Sequence, residues 1–114
     1  MGYHVVLKKD PGLDLEADDA ADQIFAAVTD CRAFAALRMK LDVTRASGTT
    51  PTLDVTLEHS PDGSTWSTLG TFAQKTAVSS EQKVFGPCHR YVRVKHAITG
   101  TGPLFRYTVA GEGV

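Results

Sequence analysis

Apolar and polar residues alternate along two neighbouring stretches in the middle of the chain. The segment "LRMKLDVT", residues 37–44, has an apolar side chain at every second position, and "LDVTLEHS", residues 53–60, repeats the pattern. A period of two is typical of a strand with one face on a core and one in water. The intervening "ASGTTPT" is rich in turn-forming residues and too short for a helical crossover. We therefore expect the two runs to form a long antiparallel hairpin.

A strong turn signal follows in "SPDGS", residues 60–64. Pro61 presets one backbone dihedral of a turn, and Gly63 supplies the left-handed position. The chain should then reverse into "TWSTLGTFAQ", residues 65–74. Because a tight corner fixes the register of the next strand, we expect Trp66 to lie over the sheet and pack on the core.

The rest of the chain contains further strand-like segments. "HRYVRVKHAIT", residues 89–99, alternates again, and "GTGP" leads into "LFRYTVAG", which predicts a C-terminal hairpin. "KVFG", residues 83–86, is typical of a short strand. "YHVVLKK", residues 3–9, predicts another strand, which Pro11 would end.

Residues 13–36 carry two competing patterns. Ile24, Phe25 and Val28 share a helical stripe with several alanines, whereas Ile24, Ala26 and Val28 alternate as in a strand. The alanines favour a helix. The surrounding strands favour a strand over residues 23–29, because a lone helix would need a special place in an all-β core. We expect the strand, preceded by an acidic loop.

These elements predict one all-β domain over residues 1–114, with residues 1–12 as an N-terminal arm or edge strand. The expected architecture is a single antiparallel β-sandwich of seven or eight strands, either jelly-roll-like or Ig-like. The residues expected to form its structural core are Leu37, Met39, Leu41, Val43, Leu53, Val55, Leu57, Trp66, Val92, Val94, Phe105 and Tyr107.

Charge and hydropathy remove two classes of partner from the prediction. The 12 basic and 13 acidic residues give a net charge of −1, without the broad positive field that nucleic-acid binding requires. No apolar run approaches the roughly 18–20 residues that span a bilayer. We expect neither a nucleic acid nor a membrane as partner.

Cys31 and Cys88 could pair, but in a chain that can fold on its core we expect buried thiols.

Several residue types invite a metal site. Cys88 and His89 are adjacent, with His59 and His96 elsewhere, but neighbours on a strand point to opposite faces and no CxxC or HxH spacing is present. The acidic run of residues 14–22 lacks the Gly and the distal Glu of a calcium loop. We therefore expect no metal and no cofactor.

Catalytic patterns are equally weak. Serines lie near His59, but none stands in a GxSxG elbow. Asp10, Asp14 and Glu16 are expected in a loop, where no shielded pocket would tune their acidity. We expect no enzymatic activity.

Two longer stretches resemble a known group of proteins. "LDVTRASGTTPTLDVTLEHSPDGSTWSTLGTF" and "RYVRVKHAITGTGPLFRYTV" are similar to small β-sandwich structural proteins from the head and tail genes of tailed bacteriophages and prophages. An LDVT strand, a GTxPTLDV hairpin, an SxDGxxW corner and a late RYVRV strand recur in that group. The resemblance covers roughly the last two thirds of the chain.

The resemblance implies a non-enzymatic virion protein, made in the cytoplasm of the bacterial host. Its expected role is capsid decoration or cementing, although the likeness does not separate the capsid from tail, neck or fibre positions. Its partners would be the major capsid protein or other virion subunits, and we expect a homo-oligomer or many symmetric copies. The alternative is a carbohydrate-binding or host-attachment module that uses exposed aromatic residues such as Trp66.

Three segments are the expected contact elements. The N-terminal segment could add to a sheet edge of a neighbouring subunit, and two turn-rich segments would form exposed loops. The residues predicted at the partner interface are Tyr3, His4, Val5, Val6, Leu7, Lys8, Lys9, Thr49, Thr50, Pro51, Thr99, Gly100, Thr101 and Gly102.

Overall fold

The described structure consists of antiparallel β-strands and the segments that join them. The computed structural model describes residues 35–113 in full and residues 3–8, 23–24 and 29–30 through their backbone. No helix occurs among these residues, so the predicted all-β class is confirmed. The strands are β1 (Tyr3–Lys8), β2 (Gln23–Ile24), β3 (Thr29–Asp30), β4 (Leu37–Ser60), β5 (Ser67–Thr71), β6 (Ser79–Phe85) and β7 (Tyr91–Gly113).

Two long strands dominate the sheet. β4 has 24 residues and β7 has 23, and they pair antiparallel along their whole length, from Leu37 opposite Gly113 to Ser60 opposite Tyr91. The register shifts only between residues 43 and 52 of β4. We call this pair of strands the ribbon, and the shifted middle part divides it into two halves.

Both predicted hairpins are wrong. The alternating runs of residues 37–44 and 53–60 do not pair with each other but lie in one strand, and each pairs with β7. The two runs near the C-terminus likewise lie in one strand. Alternation identifies which residues form strands and which face is apolar, but it does not identify the partner strand. A segment of small and turn-forming residues can bend a strand as well as reverse it.

The shorter strands flank the two halves of the ribbon. β1 pairs with the end of β7, and β6 pairs with the start of β4. β5 pairs with the end of β4, while β2 and β3 pair with the start of β7. The predicted reversal at "SPDGS" is confirmed, because β5 returns along β4 with His59 opposite Ser67.

The N-terminal third follows the prediction in part. Tyr3–Lys8 forms a strand at one end of the sheet order. Gln23–Ile24 and Thr29–Asp30 are strands at the two ends of the segment for which we expected one strand. The residues between them, the acidic run at 14–22 and Cys31 lie outside the described residues.

One buried cluster takes side chains from both halves of the ribbon and from the flanking segments. Eleven of the twelve expected core residues belong to it, and Trp66 is the exception, because it is half-buried on the surface. A Trp placed directly after a turn lies at the margin of the sheet, where its large ring is only partly covered. The other apolar members are Phe72, Phe85, Cys88, Ile98 and Val109.

Two side-chain contacts join the halves within this cluster. The buried His96, from the start of β7, places its Nδ1 2.5 Å from the hydroxyl of Tyr107, near the end of the same strand. The ring of Phe72, which follows β5, meets the ring of Phe85 on β6 edge to face, with centroids 5.2 Å apart. The first contact joins the two halves of β7, and the second joins segments that flank opposite halves of the ribbon.

We predict that Tyr107→Phe destabilises the fold by about 1–3 kcal/mol, because it removes the hydroxyl that bonds to the buried His96 and leaves the ring in place. Chemical denaturation followed by far-UV circular dichroism would measure the change. Tyr91→Phe is the matched control, since Tyr91 is only half-buried, and should stay within about 0.5 kcal/mol of the parent chain. Equal stabilities of the two variants would contradict the proposed importance of this hydrogen bond.

Candidate functional site

The two turn-rich segments predicted as contact loops meet at the middle of the ribbon. Thr49 lies opposite Thr101, and Thr52 lies opposite Thr99. Six of the seven predicted loop residues are exposed, and Pro51 is half-buried. We call this surface the bend surface, and its residues are Thr49, Thr50, Pro51, Thr99, Gly100, Thr101 and Gly102.

The backbone of the bend surface is closely determined. Gly48 has a φ of +114°, and a Cβ at this position would lie 2.7 Å from the carbonyl oxygen of Gly102. Gly100 has a φ of +126°, and a Cβ there would lie 2.9 Å from the Cα of Pro51. Only glycine fits both the dihedral and the close approach of the other strand. At the bend the backbones of β4 and β7 are therefore in direct contact, and neither glycine position has room for a side chain.

Threonine side chains add to this local order. Thr50 has a φ of +46°, which is unusual for a β-branched residue, and its hydroxyl donates to the carbonyl oxygen of Thr49 at 2.8 Å. The hydroxyls of Thr52 and Thr99 bond across the ribbon. The bend surface is thus a preformed surface, which would lose little conformational entropy on binding a partner.

The bend surface carries no ionisable side chain. Residues 46–53 and 97–105 contain no Asp, Glu, Lys, Arg or His, and the residues directly flanking them are Arg45, Asp54, His96 and Arg106. Burying threonine and proline against a protein surface costs less desolvation energy than burying charges. The surface is therefore suited to an uncharged protein contact.

The predicted N-terminal contact segment lies elsewhere. β1 is paired with β7 from Tyr3 opposite Gly113 to Lys8 opposite Val109, with a register shift between Val6 and Lys8. One edge of this segment is therefore used within the chain's own sheet. Lys9 lies outside the described residues. The sequence grouped this segment with the two loops, but the structure brings only the loops together.

Trp66 forms part of a stacked cluster on the outer side of the sheet. The guanidinium carbon of Arg93 lies 4.1 Å from the centroid of the Trp66 ring, and Arg93 Nε donates to Glu58 Oε1 at 2.8 Å. The side chains of Arg93 and Glu58 are only 21% and 14% exposed. One face of the indole is therefore covered by a cation that is itself held by a carboxylate. A sugar could stack on that face only after displacing Arg93.

The fold does not gather the four residues considered as metal ligands into one cluster. His96 is in the core beside Tyr107, Cys88 is buried, and His89 is exposed. His59 and His89 do meet, with ring centroids 4.3 Å apart, and the backbone N–H of His89 donates to His59 Nδ1 at 3.1 Å. In the part of the chain that the structure describes, no three His, Cys, Asp or Glu side chains are grouped as metal ligands would be.

The serine and acid nearest His59 are engaged in the "SPDGS" turn. The buried Ser60 donates its hydroxyl to Asp62 Oδ1 at 2.9 Å and accepts the backbone N–H of Gly63 at 2.8 Å. Asp62 Oδ1 also accepts the backbone N–H groups of Ser64 and Thr65. These backbone hydrogen bonds hold the pKa of Asp62 well below its usual range. The arrangement stabilises a corner, and sequence pattern alone identified the corner but not this hydroxyl–carboxylate pair.

A shallow depression lies on the outer side of the other half of the ribbon. Its lining comprises Arg38, Lys40, Gln82, Gly111 and Glu112, and its volume is about 200 Å³. Arg38 Nη1 donates to Glu112 Oε1 at 3.2 Å across it. The mixed charges and the open shape provide no enclosed space in which a small ligand would be held away from water.

No protein-family model matches the chain, and no curated protein matches it. Among the described residues, no helix is long and apolar enough to cross a membrane.

We predict that Ser60→Ala destabilises the fold by about 1–3 kcal/mol, because the buried hydroxyl supplies the acceptor for the backbone N–H of Gly63 and a donor to Asp62. Thermal and urea denaturation would measure the loss. Ser67→Ala, at an exposed position on β5, is the control and should be close to neutral. If both variants are neutral, the corner does not depend on Ser60.

The histidine pair predicts a dependence of stability on pH. Burial and, secondarily, the charge of His89 lower the pKa of His59 from its ordinary value of 6.5. The unfolded chain then binds this proton more tightly, so stability falls as the pH drops below about 6.5. His59→Asn keeps an acceptor for the His89 N–H. This variant should reduce the change in the free energy of unfolding between about pH 7 and pH 5.

Urea denaturation at several pH values would test this dependence. Thr76→Asn, at an exposed position, is the control and should retain the slope of the parent chain. Identical slopes for His59→Asn and the parent chain would contradict the assignment.

Proposed function

We propose that this chain is a non-enzymatic structural protein of a tailed-phage virion, in which the bend surface binds the major capsid protein or another virion subunit. The observation that carries the proposal is the convergence of two segments, 50 residues apart in sequence, into one exposed, uncharged surface with a fixed backbone. The phage assignment itself comes from the sequence resemblance. The geometry supports a protein contact at the two turn-rich segments among the three that were expected to make it.

We also propose that the two halves of the ribbon are the two layers of a β-sandwich. β1 and β6 flank one half, and β2, β3 and β5 flank the other. The single buried cluster and the contact between His96 and Tyr107 support this arrangement, because they place the apolar faces of both halves against each other. In such a sandwich the bend would be the place where both long strands pass from one layer to the other.

A structural role is consistent with how the polar side chains are used. Ser60 and Asp62 hold a turn, His59 accepts a backbone hydrogen bond, and Arg93 and Glu58 cover Trp66. A nucleophile needs a base in hydrogen-bond reach and an open space for substrate. The hydrogen bonds and ring contacts of these residues serve the fold.

The carbohydrate-binding alternative has less support. Sugar-binding sandwiches present an uncovered aromatic face for stacking, whereas Arg93 covers one face of Trp66. A blank glycan array would remove this alternative. Tryptophan fluorescence that acrylamide quenches more strongly in Arg93→Ala than in the parent chain would show that Arg93 shields the indole.

Multiple copies would give the proposed contact its effect. Each copy would add a modest uncharged contact to the shell or tail lattice. Opening of that lattice would then have to break many such contacts, so the assembled state gains stability by mass action. Affinity for an isolated subunit would be lower than affinity for the particle.

Co-sedimentation with particles assembled from the structural genes that accompany this chain would test the proposal. Thr101→Glu puts a charge on the bend surface and should weaken binding about tenfold or more, because the carboxylate would be buried without a partner. Thr76→Glu makes the same change at an exposed position outside the bend surface and should bind like the parent chain. Circular dichroism should show that both variants are folded.

Two results would count against the proposal. Absence of the parent chain from the particle pellet would contradict the virion role. Equal binding of Thr101→Glu and Thr76→Glu would show that a different surface makes the contact.

A further inference from the structure

β6 presents one edge that no described strand occupies. On its other side it pairs with β4, from Leu37 opposite Phe85 to Val43 opposite Ser79. Among the described strands no second partner of β6 occurs. An edge strand of seven residues carries a row of backbone donors and acceptors that can pair with another chain.

Exposed apolar side chains lie along the same strand. Val78 is 62% exposed and Val84 is 60% exposed, and they are the exposed large apolar residues of the described structure. Val84 is near one end of β6, and Val78 directly precedes the other end. β6 together with the residue before it, residues 78–85, carries both exposed valines of the described chain and is therefore a candidate interface.

Two side chains of opposite charge, Glu81 and Lys83, are held in fixed positions on the face of β6 opposite to that of Val84. Glu81 Oε1 accepts from Lys75 Nζ at 2.6 Å and from the backbone N–H of Ala73 at 3.0 Å. Lys83 Nζ donates to the carbonyl oxygen of Thr71 at 2.6 Å. Glu81 and Lys83 are two residues apart and therefore point to the same side of the strand. Glu81 remains 26% exposed and Lys83 is exposed.

When two copies of β6 lie antiparallel, the glutamate of each copy can face the lysine of the other. We propose that β6 pairs antiparallel with β6 of a second copy of this chain, about a twofold axis at Gln82. In that register each Glu81 lies opposite the partner's Lys83, and opposite charges in this position stabilise a strand pair. An axis at Glu81 would put two glutamates opposite each other, which is unfavourable. The charges thus select one register.

The same register covers the exposed apolar surface. Ser80, Gln82 and Val84 point to the outer side of the sheet, because they alternate with the buried Phe85. Val84 would then lie opposite the partner's Ser80 and diagonal to the partner's Val78. Cross-strand and diagonal neighbours are close enough to exclude water from a valine.

A second copy is a better occupant than an unrelated strand. Charged residues that point inward on an edge strand prevent indiscriminate pairing. Glu81 and Lys83 would reject a partner that lacks the complementary order, whereas a second β6 supplies that order twice. One short strand pair buries little surface, so the expected product is a weak dimer whose population rises with concentration. The inference does not depend on the virion role.

Sedimentation velocity over a range of concentrations would test the pairing. Lys83→Glu should weaken the dimer at least about tenfold, because each dimer loses two opposite-charge pairs and gains two like-charge pairs. Lys95→Glu makes the same charge change at an exposed position on β7 and should leave the dimer unchanged. An equimolar mixture of Lys83→Glu and Glu81→Lys should form a heterodimer, since opposite charges again face each other.

Val84→Arg provides a test that leaves the contacts of Glu81 and Lys83 intact, and it should also weaken the dimer at least about tenfold. Circular dichroism would show whether each variant folds, and if a charge variant does not, Val84→Arg alone decides. A parent chain that stays monomeric at all concentrations would overturn the proposal. So would a dimer that Val84→Arg and Lys83→Glu leave intact. Particle binding by the bend surface could survive either result, because β6 and the bend surface share no residue.

Discussion

The continuous pairing of β4 with β7 is the constraint on which the rest of the structure depends. Every other described strand adds to one of these two strands. Within each half of the ribbon the register is regular, and it fixes which side chains of β4 and β7 face the core. The bend is the point where this register shifts, and there Gly48 and Gly100 allow the two backbones to approach closely. The ribbon also sets the positions of the flanking strands, because each of them pairs with β4 or β7.

Much of this fold could be predicted from local patterns, and the part that could not depends on long-range pairing. Alternation identified the buried sides of both long strands, and the Pro–Asp–Gly signal identified the corner before β5. Neither pattern says which strand pairs with which, so two hairpins were expected where one long ribbon exists. Trp66 was assigned to the core because the corner was expected to direct it over the sheet, but it lies half-buried under Arg93 on the surface.

For the candidate site, too, the sequence identified the local segments but not which of them come together in space. Turn-rich composition identified the two loops of the bend surface separately. Their union could not be read from the sequence, because it requires β4 and β7 to be paired through residues 49 and 101. Conversely, the sequence grouped the N-terminal segment with these loops, although β1 lies at the far end of β7. Contact between Lys75 and Glu81 also depends on tertiary structure, since β6 and the segment after β5 flank different halves.

The two proposed contacts differ in the physical basis of their specificity. The bend surface has no charge, so shape and a fixed backbone would have to select its partner. The edge of β6 has an ordered pair of charges, so electrostatic register would select a second copy and exclude other strands. Because the two surfaces share no residue, dimerisation would leave the bend surface of each copy available. A dimer would then carry two bend surfaces related by the twofold axis, and it would bind a symmetric lattice more tightly than a monomer wherever the spacing of two lattice sites matches.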